Sequence, residues 1–71
     1  MTTTYQITVT GARPFCAAVV IEDGIVVEAA PILRTCCMGC TLEQAIANVG
    51  SRFGAYDGHI LHWRGVTWRE V

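Results

Sequence analysis

The stretch Phe15-Cys16-Ala17-Ala18-Val19-Val20-Ile21-Glu22-Asp23-Gly24-Ile25-Val26-Val27-Glu28-Ala29-Ala30 decides the fold. Two apolar runs, Phe15 to Ile21 and Ile25 to Ala30, flank Asp23-Gly24. Asp-Gly between such runs is the strongest short-range hairpin signal, because a type I′ turn needs positive φ at both central residues. The simplest register opposes Ile21 to Val26, Val20 to Val27, Val19 to Glu28 and Ala18 to Ala29. Both faces of that ribbon come out largely apolar, so it requires two covers: the domain's own helix, and another strand layer or another molecule.

Upstream, Tyr5, Ile7 and Val9 alternate with Gln6, Thr8 and Thr10, the period-two pattern of a strand with one dry face. Gly11-Ala12-Arg13-Pro14 breaks the chain before the hairpin. Downstream, Pro31 suits the first turn of a short helix over Ile32 to Met38 that stops at Gly39. Thr41 and Gln44 form a capping-box pattern, and Leu42, Ala45, Ile46, Val49 and Phe53 then fall on one helical stripe. Arg52 in the last turn and Gly54 just beyond close this main helix. In the tail, an Arg64-Gly65 turn opposes Trp63 to Val66, Leu61 to Trp68 and His59 to Glu70, with Ile60, His62, Thr67 and Arg69 on the other face. A bulge at Arg64-Gly65 in one long strand is the alternative. Asp57-Gly58 reads as a turn before that strand. The order of elements predicts a single α+β domain over residues 1–71: a small, mainly antiparallel sheet of two hairpins plus the N-terminal strand, packed by one main helix and one short helix.

The 71 residues are 52% hydrophobic and 15% charged, too apolar for a disordered chain. The longest apolar run, Phe15 to Ile21, falls far short of the roughly 20 residues a membrane-spanning helix needs. Five arginines, no lysine and six acids give a net charge of −1, which argues against general nucleic-acid binding. The Met1-Thr2-Thr3-Thr4 start carries no basic-then-apolar address, so cytoplasm is the expected location. Three of the four cysteines crowd into Cys36-Cys37-Met38-Gly39-Cys40, a poor arrangement for a disulfide framework. A domain this small buries only about 60% of its unfolded surface, so further burial is expected from a metal, a partner chain or a homodimer.

Phe15-Cys16-Ala17-Ala18, then Asp23-Gly24, then Glu28-Ala29-Ala30-Pro31-Ile32-Leu33-Arg34 with Gly39 after it, resembles a group of small proteins encoded by phages and prophages. The resemblance covers about half the chain, from Phe15 into the helix after Thr41. It implies a phage-type origin, and a host protein or defence complex as the partner of an accessory factor or inhibitor in the host cytoplasm. It carries no catalytic residue. Thr35 and Cys40 stand where that group commonly has an aromatic and a basic residue, which marks the cysteine cluster as this chain's own feature.

Four constellations carry chemistry in outline. Cys37-x-x-Cys40 followed by His59-x-x-His62 has the two-plus-two ligand count of a structural zinc site, with a Cys36 variant beside it. Residues three apart on a strand point to opposite faces, so the two histidines reach one ion only from a helix or a tight turn. Cys40, just before the helix opened by Thr41, is placed for a reactive thiol with Cys37 as its resolving partner, and His59 beside Glu70 for a pair titrating near neutral pH. Arg64 and Arg69 with Trp63, Trp68 and His62 would pair phosphates with stacking rings for a single-stranded nucleic acid. Against each stands a plainer reading: half-buried structural thiols, core tryptophans and a solvated arginine rim. The balance favours a non-catalytic homodimeric domain that binds protein, without a cofactor, with Arg34, His62, Arg64 and Arg69 as candidate partner contacts.

Overall fold

The first strand is longer than its alternating core: β1 runs over Thr2–Val9 in the computed structural model, which describes residues 1–11 and 13–71. The break at Gly11-Ala12-Arg13-Pro14 separates β1 from β2, Phe15–Glu22, with Ala12 outside the described residues. The chain continues as β3 (Ile25–Ala29), a 3₁₀ turn (Pro31–Leu33) running into α1 (Arg34–Cys37), α2 (Leu42–Phe53), β4 (Ala55–His59), β5 (His62–Arg64) and β6 (Val66–Glu70). The main sheet is antiparallel with strand order β3-β2-β1-β6, and β4 and β5 form a separate two-stranded sheet. This is the expected α+β domain.

Asp23 (φ 51°) and Gly24 (φ 82°) make the left-handed turn the Asp-Gly pair predicts, and Ile21 opposes Val26. Beyond that pair the expected register fails. A bulge opposes Val20 to Glu28 and Val19 to Ala29, leaving Val27 as the extra residue. The physical reason is Glu28: unbulged pairing sets it opposite Val19, which has no exposed surface, and would bury a carboxylate without a partner. The bulge turns Glu28 outward and brings Ala29 inward beside Val26.

The core lies between the sheet's inner face and the helices. Ile7, Val9, Ala17, Val19, Ile21, Val26 and Ala29 pack there with Leu33, Cys36, Cys37, Ala45 and Val49. The capping box forms as read: Gln44 N–H donates to Thr41 Oγ1 at 3.2 Å, and Thr41 N–H donates to Gln44 Oε1 at 3.0 Å. At the opposite end Phe53 meets Phe15 edge-on, with ring centroids 5.1 Å apart.

The tail corrects the expected second hairpin. The chain reverses at Ile60-Leu61, so Tyr56 opposes Trp63 and His59 opposes His62. Asp57-Gly58 is an irregularity inside β4 (Gly58 φ 89°), not a turn before it. At Gly65 (φ 81°) the chain leaves the small sheet and enters the main one, where β6 pairs with β1: Val9 opposite Val66, Ile7 opposite Trp68, Tyr5 opposite Glu70. The expected pairs Trp63–Val66, Leu61–Trp68 and His59–Glu70 therefore do not form, and His62 and Arg69 do not share a sheet face. The tryptophans part company. Trp68 packs on the core and meets Tyr5 edge-on at 6.2 Å, whereas Trp63 lies on the bare backbone of Gly50. At 100° per residue, Gly50 sits well round α2 from the inward-facing Ala45 and Val49, so the β4–β5 hairpin lies along a second flank of that helix. Among the described residues no helix is long and apolar enough to cross a membrane.

Candidate functional site

The outer face of the main sheet is left open. Because side chains alternate along a strand, the register that turns Ile7, Val19 and Ile21 inward turns Thr4, Gln6, Thr8, Cys16, Ala18 and Val20 outward. None of these six is charged. Charge appears only around them, at Glu22, at Glu28 on β3 and at Arg69 on β6. Open sheets normally carry long charged side chains on the wet face; here short side chains leave a shallow depression of about 430 Å³ lined by Thr4, Gln6, Cys16, Ala18 and Val71. The expectation of a ribbon apolar on both faces is met in part. Its inner face is covered by the helices, while Cys16, Ala18 and the bulged Val27, 45% exposed, face outward.

A second concavity, about 490 Å³, runs between α2 and the β4–β5 turn. Cys40, Glu43, Gln44, Ala47 and Asn48 form one wall, Ile60 and Leu61 the other. Most of its polar groups are already engaged: Gln44 in the cap, and Asn48 Nδ2 donating to Cys36 O at 2.8 Å and to Cys40 Sγ at 3.7 Å.

All four cysteines are free thiols. Cys37 is wholly buried, and its Sγ lies 3.8 Å from that of Cys36. Burial, and then the adjacent Cys36 thiol, pushes Cys37 up to about 12. At neutral pH it therefore stays protonated, and its thiol is withheld from the resolving role that Cys37-x-x-Cys40 suggests. Cys40, half-buried, donates to Cys36 O at 3.7 Å. The hydrogen-bond partners of the clustered thiols are Leu33 and Cys36 carbonyls, Asn48 and one another, with no base among them.

His59 and His62 do come together, because the two-residue turn satisfies the tight-turn condition: their ring centroids are 5.0 Å apart, and His59 Nδ1 accepts from Leu61 N–H at 3.1 Å. Both are exposed at the hairpin end. Among the described residues no group of three or more histidine, cysteine or acidic side chains converges as a metal site. The structure thus joins the two imidazoles but does not gather them with Cys37 and Cys40. Glu70, expected beside His59, stands opposite Tyr5.

The candidate arginines are dispersed. Arg34 is exposed on α1; Arg64 on β5 donates Nε to Asp57 Oδ1 at 3.1 Å; Arg69 lies across the main sheet on the outer face. Arg64 with Trp63, and Arg69 with Trp68, therefore belong to different sheets and do not form one stacking-and-phosphate surface. The alternation of β1 is legible in the sequence; the signal left unused is that its outer side, Thr4, Gln6 and Thr8, carries no charge. Compared with known protein families, curated proteins and solved structures, the chain matches none.

Proposed function

We propose that this domain acts by binding another protein through the outer face of its main sheet, without catalysis and without a cofactor. One observation carries the reading: the centre of that face, Thr4, Gln6, Thr8, Cys16, Ala18 and Val20, is free of charge, and Glu22, Glu28 and Arg69 stand around it. Charge depleted at the centre and retained at the rim is a pattern that protein interfaces share. Small side chains on a sheet also give a flat, rigid platform that loses little rotamer entropy on docking. The resemblance to small phage-type proteins favours a host enzyme or defence complex as the partner, a class-level analogy.

The test is a charge placed at the centre. Ala18 is exposed, so Ala18→Arg leaves the melting temperature unchanged while abolishing capture of the partner from the natural host. Glu28→Arg, at the rim, changes the association rate and its salt dependence instead. Undiminished partner capture by Ala18→Arg overturns the reading.

A further inference from the structure

We infer that a second copy of this chain pairs along the free edge of β6, antiparallel and centred on Trp68, so that the two main sheets become continuous. The inference goes beyond the outer-face reading and does not depend on it. Its first support is which backbone groups point outward. Thr10 N–H donates to Gly65 O at 2.8 Å, and Val71 N–H donates to Thr4 O at 2.9 Å. Hydrogen-bonded pairs alternate along an antiparallel ladder, so Thr8–Thr67 and Gln6–Arg69 are bonded pairs as well. The N–H and C=O groups of Val66, Trp68 and Glu70 then face away from β1, and no backbone or side-chain partner meets them among the described residues.

The second support is the contrast with the other edge. At β3, Val26 N–H donates to Cys40 O at 2.8 Å, Gly39 N–H donates to Val26 O at 3.0 Å, and Ile25 bridges to Thr41. The fold closes the Ile25–Val26 end of that edge with its own loop. Val66-Thr67-Trp68-Arg69-Glu70 has no such cover, no proline and no bulge against β1; what blunts it is its five-residue length and the charges of Arg69 and Glu70 at one end.

The third support is that one register suits everything present. About Trp68, Val66 of each copy opposes Glu70 of the other and Trp68 opposes Trp68, each pair exchanging two backbone hydrogen bonds. Arg69 then opposes Thr67, and no like charges meet. Centring on Arg69 or Glu70 instead sets two like charges face to face; centring on Thr67 or Val66 shortens the pairing, because the chain leaves the sheet at Gly65. The two-fold axis is perpendicular to the sheet, so both sets of helices stay on one side and the two outer faces join.

The experiment is sedimentation equilibrium of the full chain, with isotope-filtered NOE spectroscopy on a mixed labelled and unlabelled sample. Wild type is expected to show a concentration-dependent dimer with intermolecular Hα–Hα contacts between Thr67 and Arg69, the close non-hydrogen-bonded pair of this register. Thr67 is exposed, so its substitution spares the fold. Thr67→Glu faces Arg69 twice and tightens the dimer about three- to tenfold, whereas Thr67→Arg weakens it by a similar factor. Glu70→Pro removes an outward donor and abolishes pairing. A wild-type chain that stays monomeric at millimolar concentration overturns the inference, as do Thr67→Glu and Thr67→Arg shifts of the same sign. Ala18→Arg dimerises normally, so failure of the outer-face reading is read separately.

Discussion

Gly50→Ala tests how the β4–β5 hairpin is attached. In an exposed helix interior this substitution stabilises by about 1 kcal/mol, because alanine loses less backbone freedom on folding. Here a Cβ would lie 2.1 to 2.3 Å from the Cγ, Cδ1 and Cδ2 atoms of Trp63. Carbon atoms pack at about 3.5–4.0 Å, so the indole must retreat by roughly 1.5 Å. Retreat strains the Trp63 Nε1 donation to Ile60 O at 2.6 Å and the edge contact with Tyr56 at 5.6 Å. Overpacking of this kind costs about 1–3 kcal/mol, and the hydrogen bond and ring contact add roughly 1 kcal/mol each, so the loss outweighs the helical gain. It is also local. Trp63 lies outside the core built on Ile7, Val19 and Val49, and an isolated two-stranded hairpin is marginal in water. The expected result is a hairpin that opens while the main sheet holds: amide exchange speeds up at least tenfold over residues 55–64, the Trp63 indole resonance moves, and the global denaturation midpoint shifts by less than the equivalent of about 1 kcal/mol. A uniformly raised melting temperature with an unmoved Trp63 resonance would refute the stacking reading.

Cys37, raised from 9.0 to about 12, stays protonated in the folded chain where the unfolded chain has ionised. Its contribution to stability is therefore complete below pH 9.0 and is lost as pH rises towards about 12, by up to about 1.4 kcal/mol per pH unit. The difference between wild-type and Cys37→Ala denaturation midpoints across that range isolates the slope. Thr41→Ala deletes the acceptor for Gln44 N–H and should cost about 1 kcal/mol in urea unfolding, with helix α2 fraying first. The Trp68 indole N–H is buried without a partner, so Trp68→Phe removes an unsatisfied donor along with its ring area; thermal melts should show a loss within about 1 kcal/mol, well short of an ordinary large-to-small core change.

What could be read from the chain alone was local chemistry. Asp23-Gly24 selects its turn from backbone sterics, and Thr41 with Gln44 caps a helix from contacts three residues apart; both stand as read. The bulge at Val27 was legible but overlooked, since Val26-Val27-Glu28-Ala29 breaks the alternation and a carboxylate will not enter a dry core. The tail misled for a different reason. Arg64-Gly65 looks like a turn and Ile60-Leu61 does not, yet what settles the matter is β1, some sixty positions away in sequence, offering an unpaired edge. The same distance hides the site. Cys37-x-x-Cys40 and His59-x-x-His62 have ligand-like spacing, but only the tertiary fold buries one thiol and carries both imidazoles to an exposed turn.

The pairing of β6 with β1 explains why this chain ends as a surface with an open edge. Folding β6 back on β5 would pair five residues with a three-residue strand that has no place in the main sheet, and would leave Ile7 and Val9 on an unprotected edge. Joining β1 covers them with Trp68 and Val66, and Gly65 makes the crossing at a left-handed φ of 81° that L side chains rarely adopt, its carbonyl beginning the new ladder at Thr10. The cost is geometric. An open sheet always has two edges, and the loop from Gly39 to Thr41 is used on β3. With α1 and α2 both on the inner face, nothing in the described chain remains to cover the outer one or the β6 edge. A strand that protects the core from one side thus exposes its own backbone on the other, where no proline stands and the charges that discourage a neighbour, Arg69 and Glu70, sit together at one end.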